Sequence, residues 1–152
     1  MSIEVLNESG HELDVQGLAQ LSRFVMDEMR VHPLAELCIK AVDEATIAQL
    51  NEQWMEKEGP TDVLAFPMDE LRPGLVNEEP DEGVLGDLVL CPSVAETQGA
   101  TAGHGTLAEI ELLTVHGILH LLGYDHAAPD EHREMFGLQD QLLLQWRSAE
   151  RP

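Results

Sequence analysis

The stretch TVHGILHLLGYDH, residues 114–126, constrains this chain more than any other. It holds three of the seven histidines, His116, His120 and His126, in an apolar run that ends in Gly123-Tyr124-Asp125. His116 and His120 are four residues apart, so a helix sets both on one face, one turn from each other. Gly123 stands where a left-handed cap turns the chain back. His126 then returns from the following turn. Two ligands from a helix and a third from the turn after it form three corners of a tetrahedron. Single histidines on apolar faces usually belong to a core or a surface and nothing more. The joint spacing H-x3-H-x5-H, with glycine at the reversal, points instead to a metal. Imidazole suits Zn2+, with Ni2+, Cu or Fe as other fits.

Three histidines leave a fourth coordination position open. Structural zinc sites are usually closed by four protein ligands, commonly cysteines. Cys38 and Cys91 lie far from the motif, each in an apolar segment, and read as buried reduced thiols. An open site lowers the pKa of a water toward about 7 and makes a nucleophile at neutral pH. Burial of the three histidines in a dry cavity would strengthen that effect. The pattern predicts hydrolytic chemistry.

The chain has 152 residues, the size of one domain spanning 1–152. Its net charge is −21, from 29 acids against 8 bases. That balance disfavours tight non-specific nucleic-acid binding, which needs many Lys and Arg contacts to phosphate. It also disfavours an anionic membrane surface. A local cation or a metal can still serve one site. No apolar run is long enough to span a bilayer, and MSIEVLNESG lacks a signal-peptide pattern. The expectation is a soluble, cytoplasmic protein without a membrane partner.

Periodicity and breakers give the elements. Residues 3–7 read as a strand and 14–31 as a helix ended by His32-Pro33. Residues 34–42 fit a strand, and Asp43 caps a helix to about 53. TDVLAFP (61–67) is a short strand, and 69–83 is a turn-rich acidic loop expected to be mobile. GVLGDLVLCP (83–92) is an apolar strand interrupted by Gly86-Asp87. Helices follow at 93–98, about 106–122 and about 129–148. The order β-α-β-α-β-β-α-α-α predicts an α+β fold: a small mixed four-stranded sheet packed with about five helices.

The full motif is H-G-x-x-H-x-x-G-x-x-H. Metzincin proteases read H-E-x-x-H-x-x-G-x-x-H, so the metal helix is metzincin-like. Gly117 replaces the glutamate that would act as base, which counts against peptide hydrolysis. Asp125, beside a ligand, is a candidate catalytic residue; the alternative is a turn-forming Asp.

VHGILHLLGYDH, together with TDVLAFP and LGDLVL upstream, resembles the YbeY family of endoribonucleases over most of the chain. The resemblance implies a metal-dependent, single-strand-specific endoribonuclease of bacterial rRNA maturation, acting at the 3′ end of small-subunit rRNA and in ribosome quality control. It implies zinc ligands at His116, His120 and His126, single-stranded RNA or rRNA as substrate, and ribosomal proteins as partners. It also implies helices around a four-stranded sheet. Many members carry an arginine six residues before the Thr of the TDVLSFP block. That position is Met55 here, and the Ser of the block is Ala65. Lys57, two residues on, is a candidate catalytic cation, although a point charge does not replace a bidentate arginine.

Asp87 lies in an apolar strand, where an unpaired carboxylate is costly. It reads as a bulge residue accepting backbone N–H groups or as a carboxylate orienting a ligand histidine. Asp62 reads as a turn residue. His104 and His132 are expected in solvent, and Trp54 and Trp146 read as helix anchors rather than as platforms that stack bases, although Trp54 adjoins Met55. Arg23, Arg30 and Lys40 are candidates for an RNA-binding cleft. Two alternatives stand beside the nuclease: a metallopeptidase with a non-standard base, and a non-catalytic ribosome-associated zinc protein.

Overall fold

The structure is a computed structural model that describes residues 3–74 and 80–149. Its strands are β1 (Ile3–Asn7), β2 (Glu36–Ala41), β3 (Val63–Pro67) and β4 (Val84–Leu90). Its helices are α1 (Val15–Glu28), α2 (Glu44–Met55), α3 (Pro92–Ala102), α4 (Gly105–Leu121) and α5 (Pro129–Ser148). The element order is the expected one, and the fold is α+β. The sheet order is β1-β2-β4-β3, with β1, β2 and β4 parallel and β3 antiparallel to β4.

Helix signals act where the sequence places them. Asp14 accepts from Gly17 N and starts α1; Asp43 accepts from Thr46 N and starts α2. α1 ends at Glu28, short of the expected 31, because Arg30 takes a left-handed φ of 56°. α3 runs past the expected 98 to Ala102, and Gly103 closes it with a φ of 82°.

One face of the sheet carries the main core. Leu18, Leu21, Val25 and Met26 of α1 meet Leu37 and Ile39 of β2, Leu88 and Leu90 of β4, and Val115, Ile118 and Leu119 of α4. α5 adds Met135, Leu142, Leu143 and Trp146. The other face holds a smaller cluster of Ile47, Leu64, Val89 and Cys91 under α2. Alternation explains the split: Val63 and Ala65 pack with the main core, Leu64 and Phe66 with the smaller one.

The bulge expected around Asp87 sits one turn of the pleat earlier. Glu36 pairs with Val84 and Leu37 with Gly86, so Leu85 is the extra residue. Leu85 and Leu88 therefore both enter the main core. Gly86 is required at the crossing: a Cβ there would stand 2.4 Å from the Phe66 carbonyl oxygen. The strand continues through Gly86-Asp87 instead of breaking.

Residues 75–79 of the acidic loop lie outside the described residues. The flanks of that loop are anchored. Asp69 Oδ2 accepts from Val84 N at 2.7 Å, Leu71 is buried, and Gly74 N donates to the Met29 carbonyl. Both cysteines are free thiols, and burial is the main cause that raises the pKa of each.

Candidate functional site

The three histidines come together as the spacing requires. α4 ends with a reversal in which Gly123 N donates to the His120 carbonyl and Tyr124 N to the Leu119 carbonyl. Gly123 has a φ of 100°, the left-handed cap expected of it. The ring centroids of His116 and His126 are 5.6 Å apart, and each lies 6.4 Å from or to His120 as follows: His116–His120 6.4 Å, His120–His126 6.4 Å. Tetrahedral ligation at 2.0–2.1 Å per nitrogen would bring such centroids to roughly 5 Å. The triad is thus slightly wider than a metal would hold it, and among the described residues no three His, Cys, Asp or Glu donors are gathered tightly enough to hold an ion as they stand. His126 rides on an exposed turn, while His116 and His120 are held on one helix.

The donor chemistry fits a metal. His120 Nδ1 stands 2.9 Å from the Tyr124 carbonyl oxygen. A carbonyl only accepts, so Nδ1 carries the hydrogen and Nε2 keeps its lone pair. His116 Nδ1 stands 2.9 Å from Gln139 Oε1, which fixes the same tautomer. Burial holds the His116 pKa below the ordinary histidine value against the opposing hydrogen bond it donates to Gln139, and the neighbouring His126 and His120 lower it further. His116 is half-buried, whereas His120 and His126 are exposed. The expectation of three buried histidines is not met: the most covered, His116, is half-buried. The other two occupy the helix end and the turn, which form the rim.

Phe136 on α5 is the wall behind the triad. Its ring lies 5.5 Å from His116, 5.9 Å from His126 and 4.3 Å from His132, on which it stacks. Sequence reasoning missed Phe136 and Gln139. Gln139 carried a signal: it is a polar residue on the buried stripe of Met135, Leu142, Leu143 and Trp146.

A cleft of about 320 Å³ opens before the histidines, lined by His116, Gly117, His120 and His126 on one side. Asn51, Met55 and Lys57 from the end of α2, and Thr61 to Ala65 entering β3, form the other side. A larger depression of about 630 Å³ lies between Glu12–Asp14 and Thr106–Ile110, and its lining has no histidine or cysteine. The three histidines are in the smaller cleft. Met55, Lys57 and Ala65 are therefore beside the triad.

Several candidates lie elsewhere. Asp125 Oδ1 accepts from His126 N at 2.7 Å, which is turn formation, and its residue lines a separate depression with Arg72 and Glu131. Asp87 orients no ligand histidine. It faces away from α4, beside Glu4, Glu36 and Cys38, because the neighbouring Leu88 takes the side of the sheet that α4 covers. Trp146 anchors its helix, with a ring 5.6 Å from Phe24. Trp54 does not: it is 61% exposed. His132 is exposed as expected; His104 is exposed too but pairs with Glu109 at 2.6 Å. Arg23 pairs with Asp27 on α1 and Lys40 with Glu8 at β1. Neither these two nor Arg30 lines the cleft.

Asp62 enters the cleft through a polar chain. Its Oδ1 accepts from Val63 N at 2.8 Å. With the Gln98 amide turned to its satisfied orientation, Gln98 donates to Asp62 Oδ2 and to Glu109 Oε2, both at 3.1 Å.

A mixed sheet that carries a helix with two histidines, a third histidine on the reversal and an open cleft beside the edge strand defines a small α+β protein with three histidines at one cleft. The chain belongs to the endoribonuclease YbeY family, whose model matches residues 4–147. It is 85% identical over 148 residues to the endoribonuclease YbeY of a Nocardioides species, covering 97% of this chain and 99% of that one. It is 59% identical over 149 residues to the endoribonuclease YbeY of Thermobifida fusca, covering 98% and 96%. The solution structure of TM1509 from Thermotoga maritima shows the same fold, with a TM-score of 0.61 and 24% identity over 96% of this chain and 92% of that one.

Proposed function

We propose that the chain is a metal-dependent endoribonuclease that cuts single-stranded RNA in rRNA maturation, working in the cytoplasm at the ribosome. The observation that carries it is the pair of fixed tautomers at His116 and His120, which leave both Nε2 atoms for a metal beside an open cleft. His116, His120 and His126 would hold Zn2+, with Ni2+ as another fit to an all-imidazole set. When bound, the metal supplies positive charge to a scissile phosphate and acidity to water.

The chain's own residues do the rest. Gln139 and the Tyr124 carbonyl hold two imidazoles in one orientation. Lys57 offers an ammonium to a phosphate in the cleft. Asp62, fixed by Val63 N and Gln98, is the carboxylate that lines the cleft and can orient an attacking water. Asp125 is occupied in its turn. The net charge of −21 favours delivery of the RNA by a partner with basic surface, such as ribosomal protein, over unaided capture. The peptidase alternative has no support at position 117. A Cβ there would stand 2.6 Å from the Leu88 side chain, so the metzincin glutamate would require Leu88 to move.

The test is cleavage of a single-stranded RNA by zinc-loaded protein beside a His116→Ala control purified identically. Cleavage that the control lacks supports the reading. Equal cleavage in both, or none in either with zinc bound and ribosomal subunits added, overturns it.

A further inference from the structure

Trp54 is the largest of the exposed apolar side chains among the described residues, at 61% exposure. It lies on the last turn of α2, next to Met55, which lines the cleft. On an ideal helix it stands about 60° round the axis from Asn51, another lining residue. Trp54 is not itself in the lining; it stands one residue before Met55, at the edge of the segment that is.

The turn that carries it is built rather than loose. Asn51 is 6% exposed and holds the turn twice. Its carbonyl accepts from Lys57 N at 3.3 Å, and its Nδ2 donates to the Gly59 carbonyl at 3.0 Å. Glu56 takes a left-handed φ of 55° to make the reversal. After the reversal Lys57 stands in the cleft lining. Among the described residues Lys57 has no carboxylate partner, unlike Lys40, Arg133 and Arg147. An aromatic face and a free ammonium on one pinned turn match what a single nucleotide offers, a base and its phosphate.

We infer that the C-terminal turn of α2 is a nucleotide subsite, in which Trp54 stacks an unpaired base and Lys57 meets the adjoining phosphate. It rests on the endoribonuclease reading and adds to it the residue that selects single strands, since a base within a duplex has no free face for the indole. For an acidic chain, stacking also supplies affinity that charge does not.

The test is titration of the full chain with a short single-stranded 2′-O-methyl oligoribonucleotide, which binds without being cut, followed by tryptophan fluorescence. Trp146 is 7% exposed, so a quench reports on Trp54. Binding of the same strand to Trp54→Ala, Trp54→Phe and Lys57→Ala is measured by anisotropy. Trp54→Ala should bind roughly five-fold or more weakly, and Trp54→Phe should recover much of the loss. Lys57→Ala should lower the salt slope by about 0.7. Trp54→Ala that binds as tightly as the parent overturns the subsite; if the parent still cuts RNA, the endoribonuclease reading stands. A parent that neither binds nor cuts single strands overturns both.

Discussion

At the scale of single residues, the site depends on groups that never touch a substrate. Gln139 is 2% exposed, and its Oε1 is the acceptor for His116 Nδ1. Gln139→Leu keeps the volume and removes the acceptor, leaving a half-buried N–H unpaired and the tautomer free. Loss of such a partner usually weakens metal binding by about 10- to 100-fold. Competition against a chromogenic zinc chelator should show a loss in that range with the far-ultraviolet spectrum unchanged; unaltered affinity would mean that Gln139 is only a core residue. Gly117 is set by packing. Alanine would gain about 1 kcal/mol in helix propensity, but its Cβ would meet Leu88, which is fully buried, at 2.6 Å. Overpacking of that kind costs about 1–3 kcal/mol, so Gly117→Ala should lower the melting temperature by a few degrees. A rise would show that Leu88 yields freely.

At the scale of elements, α2 matters because its two ends do different work. Its C-terminal turn forms part of the cleft, and its N-terminus is held by Asp43, whose carboxylate accepts from Thr46 N. The side-chain and backbone hydrogen bonds with Thr46 hold the Asp43 pKa below the usual carboxylate value. A carboxyl with a lowered folded pKa adds stability above its unfolded pKa, near 3.9, and loses it as pH falls through the folded value. Asp43→Ala should therefore melt below the parent near neutral pH, and the gap should narrow in acid below about pH 4. A gap that does not change with pH would mean the cap acts through shape alone. The cap was legible because Asp43 stands just before an apolar helical period. The histidine triad was legible for the same reason: both rest on local geometry at fixed spacing. What was not legible was mostly long-range. Gln139 meets His116 across 23 residues, and Asp87 turns away from the triad because an extra residue, Leu85, resets the pleat. The exposure of Trp54 depends on which helix neighbours approach, and periodicity does not encode that.

At the scale of the whole molecule, a chain of net charge −21 acts on a polyanion. Half of its eight bases are spent internally: Arg23, Lys40, Arg133 and Arg147 all stand in ion pairs. Near the cleft the described cations are Lys57 and, beyond Gly123, Arg72. For single strands the slope of log affinity against log salt is about −0.7 per phosphate neutralised, so two contacts give a slope of about −1.4. Long-range repulsion works in the opposite direction. It is screened only beyond about 30 Å at 0.01 M salt and about 10 Å at 0.1 M. The two effects act on different steps. Adding salt over that range should raise the association rate for free single-stranded RNA, while faster dissociation keeps the affinity slope shallow. Stopped-flow association with a labelled single strand separates them. An association rate that falls steeply with salt would show that a local positive field outweighs the global charge, and that the protein captures RNA without help from a basic partner.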